Sequence, residues 1–195
     1  MSAISRRTFF QGAAIAASAT QVMGANDRIR VGIVGIGGRG TAHLNYYLKI
    51  PGAQVAGLCD VNQAARERAQ AIVAKANSPK AGEFDDMRQM FEHKDIDAVS
   101  IATPNHWHAL AAIWAAEANK DVYVEKPASH NIYEGGRMIE TARKTKRMMQ
   151  VGSQSRSVPH KIKAIQLLRE GVIGDVYEAR ALCFKRRKSI GITPP

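Results

Sequence analysis

At 195 residues and 45% apolar composition, the chain has room for one good-sized domain and a little more, with an ordinary core. Its two cysteines, Cys59 and Cys183, lie far apart and outside any C-x-x-C spacing, which excludes a disulfide framework and a cysteine metal knot. The formal charge of +11 raises nucleic acid as a partner, but the basic runs Arg143–Arg147 and Lys185–Lys188 come with no nucleic-acid-binding motif. They read as solvated helix and strand ends, with attraction of an anionic substrate left open, and no nucleic-acid partner is expected.

The first 25 residues read as a leader. Ser5-Arg6-Arg7-Thr8-Phe9-Phe10 precedes a small, Ala-rich, mildly apolar run from Gly12 to about Met23, similar to a twin-arginine (Tat) export signal. Ala17-Ser18-Ala19 offers a cleavage site, and a later cut near Ala25 is also compatible with the pattern. Removal of Arg6 and Arg7 leaves about +9 on the mature chain. The apolar run is too short to span a bilayer, so a folded, exported, periplasmic protein that meets the Tat machinery is expected, without stable membrane insertion.

From Ile29 onward, strand and helix patterns alternate. Ile29–Val34 is a short apolar strand, and Thr41–Lys49 is a helix stopped by Pro51-Gly52. Gln54–Cys59 is a second strand, and Asn62 caps a helix with Ala65, Ala69, Ile72 and Val73 on its apolar face. Asp85 or Asp86 caps a short helix through Phe91. The run 97–102 is a continuous apolar strand of the kind buried in a parallel sheet. A helix over 106–119, a strand over 121–124, a helix from Asn131 or Tyr133 to about Thr145 and a strand over 148–152 follow. An amphipathic helix spans 158–170 with Ile162, Ile165 and Leu168 on one face, and a strand of different character begins over 176–184. This order predicts an α/β fold, a Rossmann-type doubly wound parallel sheet over 26–153, with the start of a second α+β domain over 154–195.

Ligands of such sheets bind at the carboxyl ends of the strands, and the unusual residues lie there. Gly35, Gly37 and Gly40, in Gly35-Ile36-Gly37-Gly38-Arg39-Gly40, stand at the G-x-G-x-x-G spacing between a strand and a helix. Gly35 permits the tight turn, Gly37 admits a pyrophosphate to the backbone, and Gly40 lets the helix pack on its strand. Asp60, ending the second strand about twenty residues later, sits where an acid accepts hydrogen bonds from a ribose 2′-hydroxyl and repels a 2′-phosphate. NAD is therefore expected, while Arg39 and the Arg66/Arg68 pair keep NADP open.

Thr103-Pro104-Asn105-His106-Trp107-His108 follows the third long strand. Its polar residues can touch ribose and nicotinamide, or Thr103 and Asn105 can simply cap a helix over a packed His108. A metal held by His106 and His108 lacks a third ligand, so no metal is expected. Glu125-Lys126-Pro127 follows the next strand. Adjacent charges at a buried strand end are costly unless paired or used. Lys126 can move a proton at a carbinol or carbonyl, or can make a simple salt bridge there. Pro127 fixes the turn and can take a cis peptide bond.

Taken together, Gly35–Gly40, Cys59-Asp60, Ala102–His108 and Val124-Glu125-Lys126-Pro127 resemble, in order and kind, the Gfo/Idh/MocA oxidoreductases, the family of glucose–fructose oxidoreductase and inositol 2-dehydrogenase. The likeness runs from about Ile29 to Phe184. It implies that Lys126 lies beside nicotinamide and substrate as the catalytic lysine. It also implies cofactor contacts at Gly35, Ile36, Gly37, Gly38, Arg39, Gly40, Asp60, Thr103, Pro104, Asn105, His108, Glu125 and Lys126, with Gln154 where the chain returns to the crevice.

The resemblance also implies a second domain that supplies an Asp and a His to the reacting carbon. His160 does not match that pair, and the sequence closes at Pro194-Pro195 after one strand-like run. The sequence is thus expected to be the nucleotide-binding half of an oxidoreductase for a sugar or polyol hydroxyl, homo-oligomeric at full length. Two alternatives stand beside it: an NAD-dependent glycosidase of the same family, and a nucleotide-binding fragment without activity of its own. The final strand is expected to lack sheet partners here.

Overall fold

The computed structural model describes residues 28–182. The leader, the basic run 185–188 and Cys183 lie outside the described residues. Six strands alternate with helices: β1 (Ile29–Val34), α1 (Gly38–Tyr47), β2 (Ala53–Cys59), α2 (Gln63–Lys75), β3 (Gly82–Phe84), α3 (Met87–Glu92), β4 (Ala98–Ile101), α4 (His108–Glu117), β5 (Asp121–Glu125), α5 (Ile132–Thr145) and β6 (Met149–Gly152). They form one sheet in the order β3-β2-β1-β4-β5-β6, parallel throughout. The chain starts in the middle, winds outward on one side and then on the other, which puts the switch point between β1 and β4.

The strand patterns explain the sheet. Successive side chains point to opposite faces, so Ile33 and Val34 enter two different cores. Ile33 packs with Leu44, Val55, Leu58 and Val73 under α1 and α2. Val34 packs with Phe91, Ile101, Val124 and the alanines of α4. Those alanines (Ala109, Ala111, Ala112, Ala115 and Ala116) are all buried, so the small side chains bring the helix close to the sheet.

Capping follows the sequence. Asn62 accepts from the Ala65 N–H, Asp86 from Arg88 and Asn131 from Glu134, each at a helix start. Arg143 and Lys144 occupy the last turn of α5, where cations favour the helix dipole. Among the described residues, no helix is long and apolar enough to cross a membrane.

Three elements differ from expectation. Helix α1 starts at Gly38 rather than Thr41, because the glycine turn itself is wound into its first turn. Strand β3 is only three residues long, too short for a periodic signal, and exists by pairing Gly82–Phe84 with Gly57–Cys59. Residues 176–182, expected to begin a strand without sheet partners, carry no regular structure.

The chain divides into two compact units at Gly152/Ser153. The second holds a 3-10 turn over Gln154–Ser157 and helix α6 (Pro159–Arg169), with Pro159 at its start and Ile162, Ile165 and Leu168 exposed.

Gly40 sets the closest approach in the first unit. A Cβ there would lie 1.8 Å from the carbonyl oxygen of Gly35. Gly40→Ala is therefore expected to cost about 3 kcal/mol or more. A melting temperature within about 2 °C of wild type would contradict this packing.

Candidate functional site: a nucleotide crevice at the strand ends

The sheet register assembles the site. Val34 pairs with Cys59 on one side and Ile101 on the other, and Ile101 pairs with Val124. The next residue of each strand, namely Gly35, Asp60, Ala102 and Glu125, therefore reaches the same edge. A crevice of about 470 Å³ opens there, walled by Gly35, Asp60, Val61, Thr103, Pro104 and the indoles of Trp107 and Trp114. The Arg88 guanidinium lies 5.8 Å from the Trp114 ring centre, which stiffens that wall.

The glycine turn is held from several directions. Gly35 has φ +80°, and a Cβ there would lie 2.8 Å from the backbone nitrogen of Thr103. Its own N–H donates to Cys59 O at 2.8 Å. Asp60 accepts from the Ile36 N–H at 2.7 Å and from the Asn62 N–H at 2.9 Å. The acid thus braces the turn as well as facing the crevice, a second task that spacing alone does not disclose.

The turn fits a dinucleotide. A Cβ at Gly37 or Gly38 would meet nothing within 4 Å, so space lies open over the backbone. Helix α1 has no side-chain cap and no acidic residue in its first turn, which leaves its positive end available to an anion. The Thr103 hydroxyl is buried at the crevice without a hydrogen-bond partner, an orphan that a ligand hydroxyl or amide would satisfy.

Behind the turn runs a buried polar chain. Arg39 Nε donates to Glu125 Oε1 at 2.8 Å, and His43 Nε2 lies 2.9 Å from the same oxygen. His43 Nδ1 lies 2.9 Å from Ser100 Oγ. Glu125 and His43 are each 3% exposed and Ser100 0%. Burial pushes the Glu125 carboxyl up, but the hydrogen bonds from Arg39 and His43 outweigh it and hold the carboxyl below its usual 4.5. Burial pushes the His43 imidazolium down from 6.5, and Arg39 adds to that against the pull of Glu125. An ionised Glu125 only accepts, so a neutral His43 carries its proton on Nε2, and its Nδ1 accepts a hydrogen bond from the Ser100 hydroxyl. The Ser-His-Glu order is not a nucleophilic triad, since no substrate reaches a fully buried Ser100.

Each expected site residue can now be placed. Gly35 to Gly40 and Asp60 form the turn and its brace. Pro104 and Asn105 are exposed at the start of a 3-10 turn, Asn105–Trp107. His108 is placed differently from expectation. It is 2% exposed, with Nδ1 2.6 Å from Pro127 O and Nε2 2.8 Å from Thr103 O, so both ring nitrogens face backbone carbonyls of the Thr103 loop and the Pro127 turn and neither faces the crevice. Glu125 is likewise interior, with its carboxylate on Arg39 and His43.

Lys126 is exposed and makes no ion pair among the described residues, so the simple Glu125–Lys126 salt bridge does not form. The Lys126–Pro127 peptide is cis. Gln154 lies in the second unit, in the left-handed region with φ +41°. His43, Ser100 and Trp114 were not expected. Their signals were weak: His43 stands four residues after Arg39, hence on the same helix face, and Ser100 interrupts an apolar strand.

The sequence model of the Gfo/Idh/MocA oxidoreductase family, NAD-binding Rossmann fold, matches residues 29–153. The chain belongs to this family. Among curated relatives it is 31% identical, over 159 residues, to a glycosyl hydrolase family 109 protein of Shewanella sp. (strain W3-18-1), covering 80% of this chain and 35% of that protein. A protein of the same name from Saccharopolyspora erythraea is 32% identical over 78% of this chain and 34% of its own length. The chain thus spans about a third of the length of these curated relatives. Among solved structures, apo scyllo-inositol dehydrogenase from Lactobacillus casei superposes with a TM-score of 0.67 at 30% identity, over 76% of this chain and 43% of that one. The same enzyme with bound NAD(H) and scyllo-inositol gives 0.68 at 29%, over the same shares. The crevice is accordingly that of an NAD-binding oxidoreductase-family domain.

The buried chain makes the fold acid-sensitive. His43, depressed below 6.5, contributes stability that is complete above that value and is lost as pH falls through its folded pKa; Glu125 follows the same sign below 4.5. Melting temperatures between pH 7.5 and 5.5 should fall more steeply for wild type than for His43→Gln. Parallel profiles would show that His43 does not carry the effect.

Proposed function

We propose that this chain is the nucleotide-binding half of an NAD-dependent oxidoreductase that works on a carbinol carbon of a sugar or polyol. The observation that carries this reading is the position of Lys126. It is exposed, unpaired among the described residues, and one residue beyond the carboxylate that grips Arg39 of the glycine turn. Bound NAD supplies the hydride acceptor or donor. Lys126 Nζ holds or moves the hydroxyl proton, and the Thr103 hydroxyl orients what enters the crevice. Asp60 favours NAD over NADP. The solved relative with NAD(H) and scyllo-inositol supports a polyol as substrate class.

A second reading is favoured by the curated relatives: a glycoside hydrolase that uses the same redox step transiently. The two part on net turnover, since a dehydrogenase accumulates NADH from a polyol, whereas a glycosidase releases sugar without it. Export by the twin-arginine route, with a periplasmic location, and homo-oligomeric assembly are part of the same proposal and rest on the leader pattern and the family resemblance.

In the protein at the full length of its relatives, Lys126→Ala is expected to cut turnover by about a hundredfold or more while NADH affinity stays within about twofold. Near-normal turnover would remove Lys126 from the chemistry. Asp60→Ala weakens the turn for both cofactors, so the informative quantity is the ratio of NADH to NADPH affinities. That ratio should drop towards one, and an unchanged ratio would deny Asp60 its part in discrimination.

A further inference from the structure

Arg39 is the only cation of the glycine turn, and it spends Nε on a buried partner, Glu125, at 2.8 Å. Its side chain is 39% exposed, with Nε anchored on Glu125 and a further hydrogen bond from the guanidinium to the Tyr123 hydroxyl. The anchor is itself restrained: Glu125 Oε1 also takes His43, whose other nitrogen is fastened to Ser100 of β4. The Tyr123 ring closes the remaining side, edge-on to His43 at 5.5 Å. Helix α1, strand β4 and the end of β5 are therefore joined at one carboxylate, one residue before Lys126.

Resting on the NAD-binding reading above, we propose that Glu125, His43 and Ser100 are positioning residues that hold the Arg39 guanidinium over the pyrophosphate site, so that cofactor binding and the placement of Lys126 share one anchor. None of the three touches the cofactor. Glu125 acts on affinity only through Arg39, as a buried carboxylate that fixes a long, otherwise mobile side chain and so lowers the ordering cost of binding. His43 supplies the second donor that keeps the carboxylate ionised and in one orientation, and Ser100 sets the ring.

The test is a double-mutant cycle on NADH affinity, read by fluorescence titration at pH 7.5 on chains shown to be folded by circular dichroism. Glu125→Gln is expected to weaken NADH about five- to tenfold and Arg39→Ala at least as much. The double variant should bind no worse than Arg39→Ala alone, a non-additivity that general loss of stability would not produce. Should Glu125→Gln fail to fold, Glu125→Asp keeps the charge beside His43 but shortens the reach to Arg39, and the same pattern is expected. Unchanged affinity in the Glu125 variant, or losses that multiply in the double variant, would overturn the inference. Absence of NADH binding by the folded wild-type chain would overturn the cofactor reading itself, and the inference with it.

Discussion

A carboxylate buried at the end of a parallel strand is tolerable only when it is paired, because removing a charge from water costs several kcal/mol. Glu125 meets that demand with two donors from α1, Arg39 and His43, which are four residues apart on one helix face. The consequence is mechanical. Helix α1 cannot shift along the sheet without breaking an ion pair in a low-dielectric setting, so the glycine turn and the Lys126 turn keep their relation. His108 is packed between Thr103 O and Pro127 O, at the Thr103 loop and the Pro127 turn. Three loops from three strands thus form one rigid rim.

The contacts around the glycine turn divide its labour. Gly35 and Gly40 are required by backbone crowding, whereas Gly37 and Gly38 face open space. The first pair makes the fold close, and the second leaves room above the uncapped helix end for an anion. Asp60 joins both roles, since its carboxylate braces Ile36 while lying on the crevice wall.

Much of this was legible in the residues. Gly35, Gly37 and Gly40 at fixed spacing, an acid after the second strand and Glu125-Lys126-Pro127 after the fifth point to the sheet and to its crevice, because each marks a backbone constraint or a charge at a strand end. The partners of Glu125 were not legible. Pairing of Glu125 with Lys126 is the natural guess from adjacency, but β5 ends at Glu125, whose carboxylate is buried against Arg39 and His43, while Lys126 stands exposed in the bend that follows. His43 and Ser100 lie 82 and 25 residues from it in sequence, and only the register of β4 and β5 brings them together. His108, which the sequence leaves open to a cofactor contact or to packing, is enclosed by the fold. The three-residue strand β3 shows the same limit: it exists by pairing with β2, which local pattern does not encode.

The central claim is that the open space over Gly37 is where the cofactor's pyrophosphate lies. The most direct measurement is an NADH fluorescence titration of Gly37→Ala beside wild type, with the melting temperature of each. Gly37 has φ −72° and a Cβ there touches no protein atom, so the substitution should leave the melting temperature nearly unchanged. Affinity should nevertheless fall by about tenfold, or about 1.4 kcal/mol, because the methyl group intrudes on the ligand alone. Equal affinity in the two chains would contradict the account and move the nucleotide away from the glycine turn.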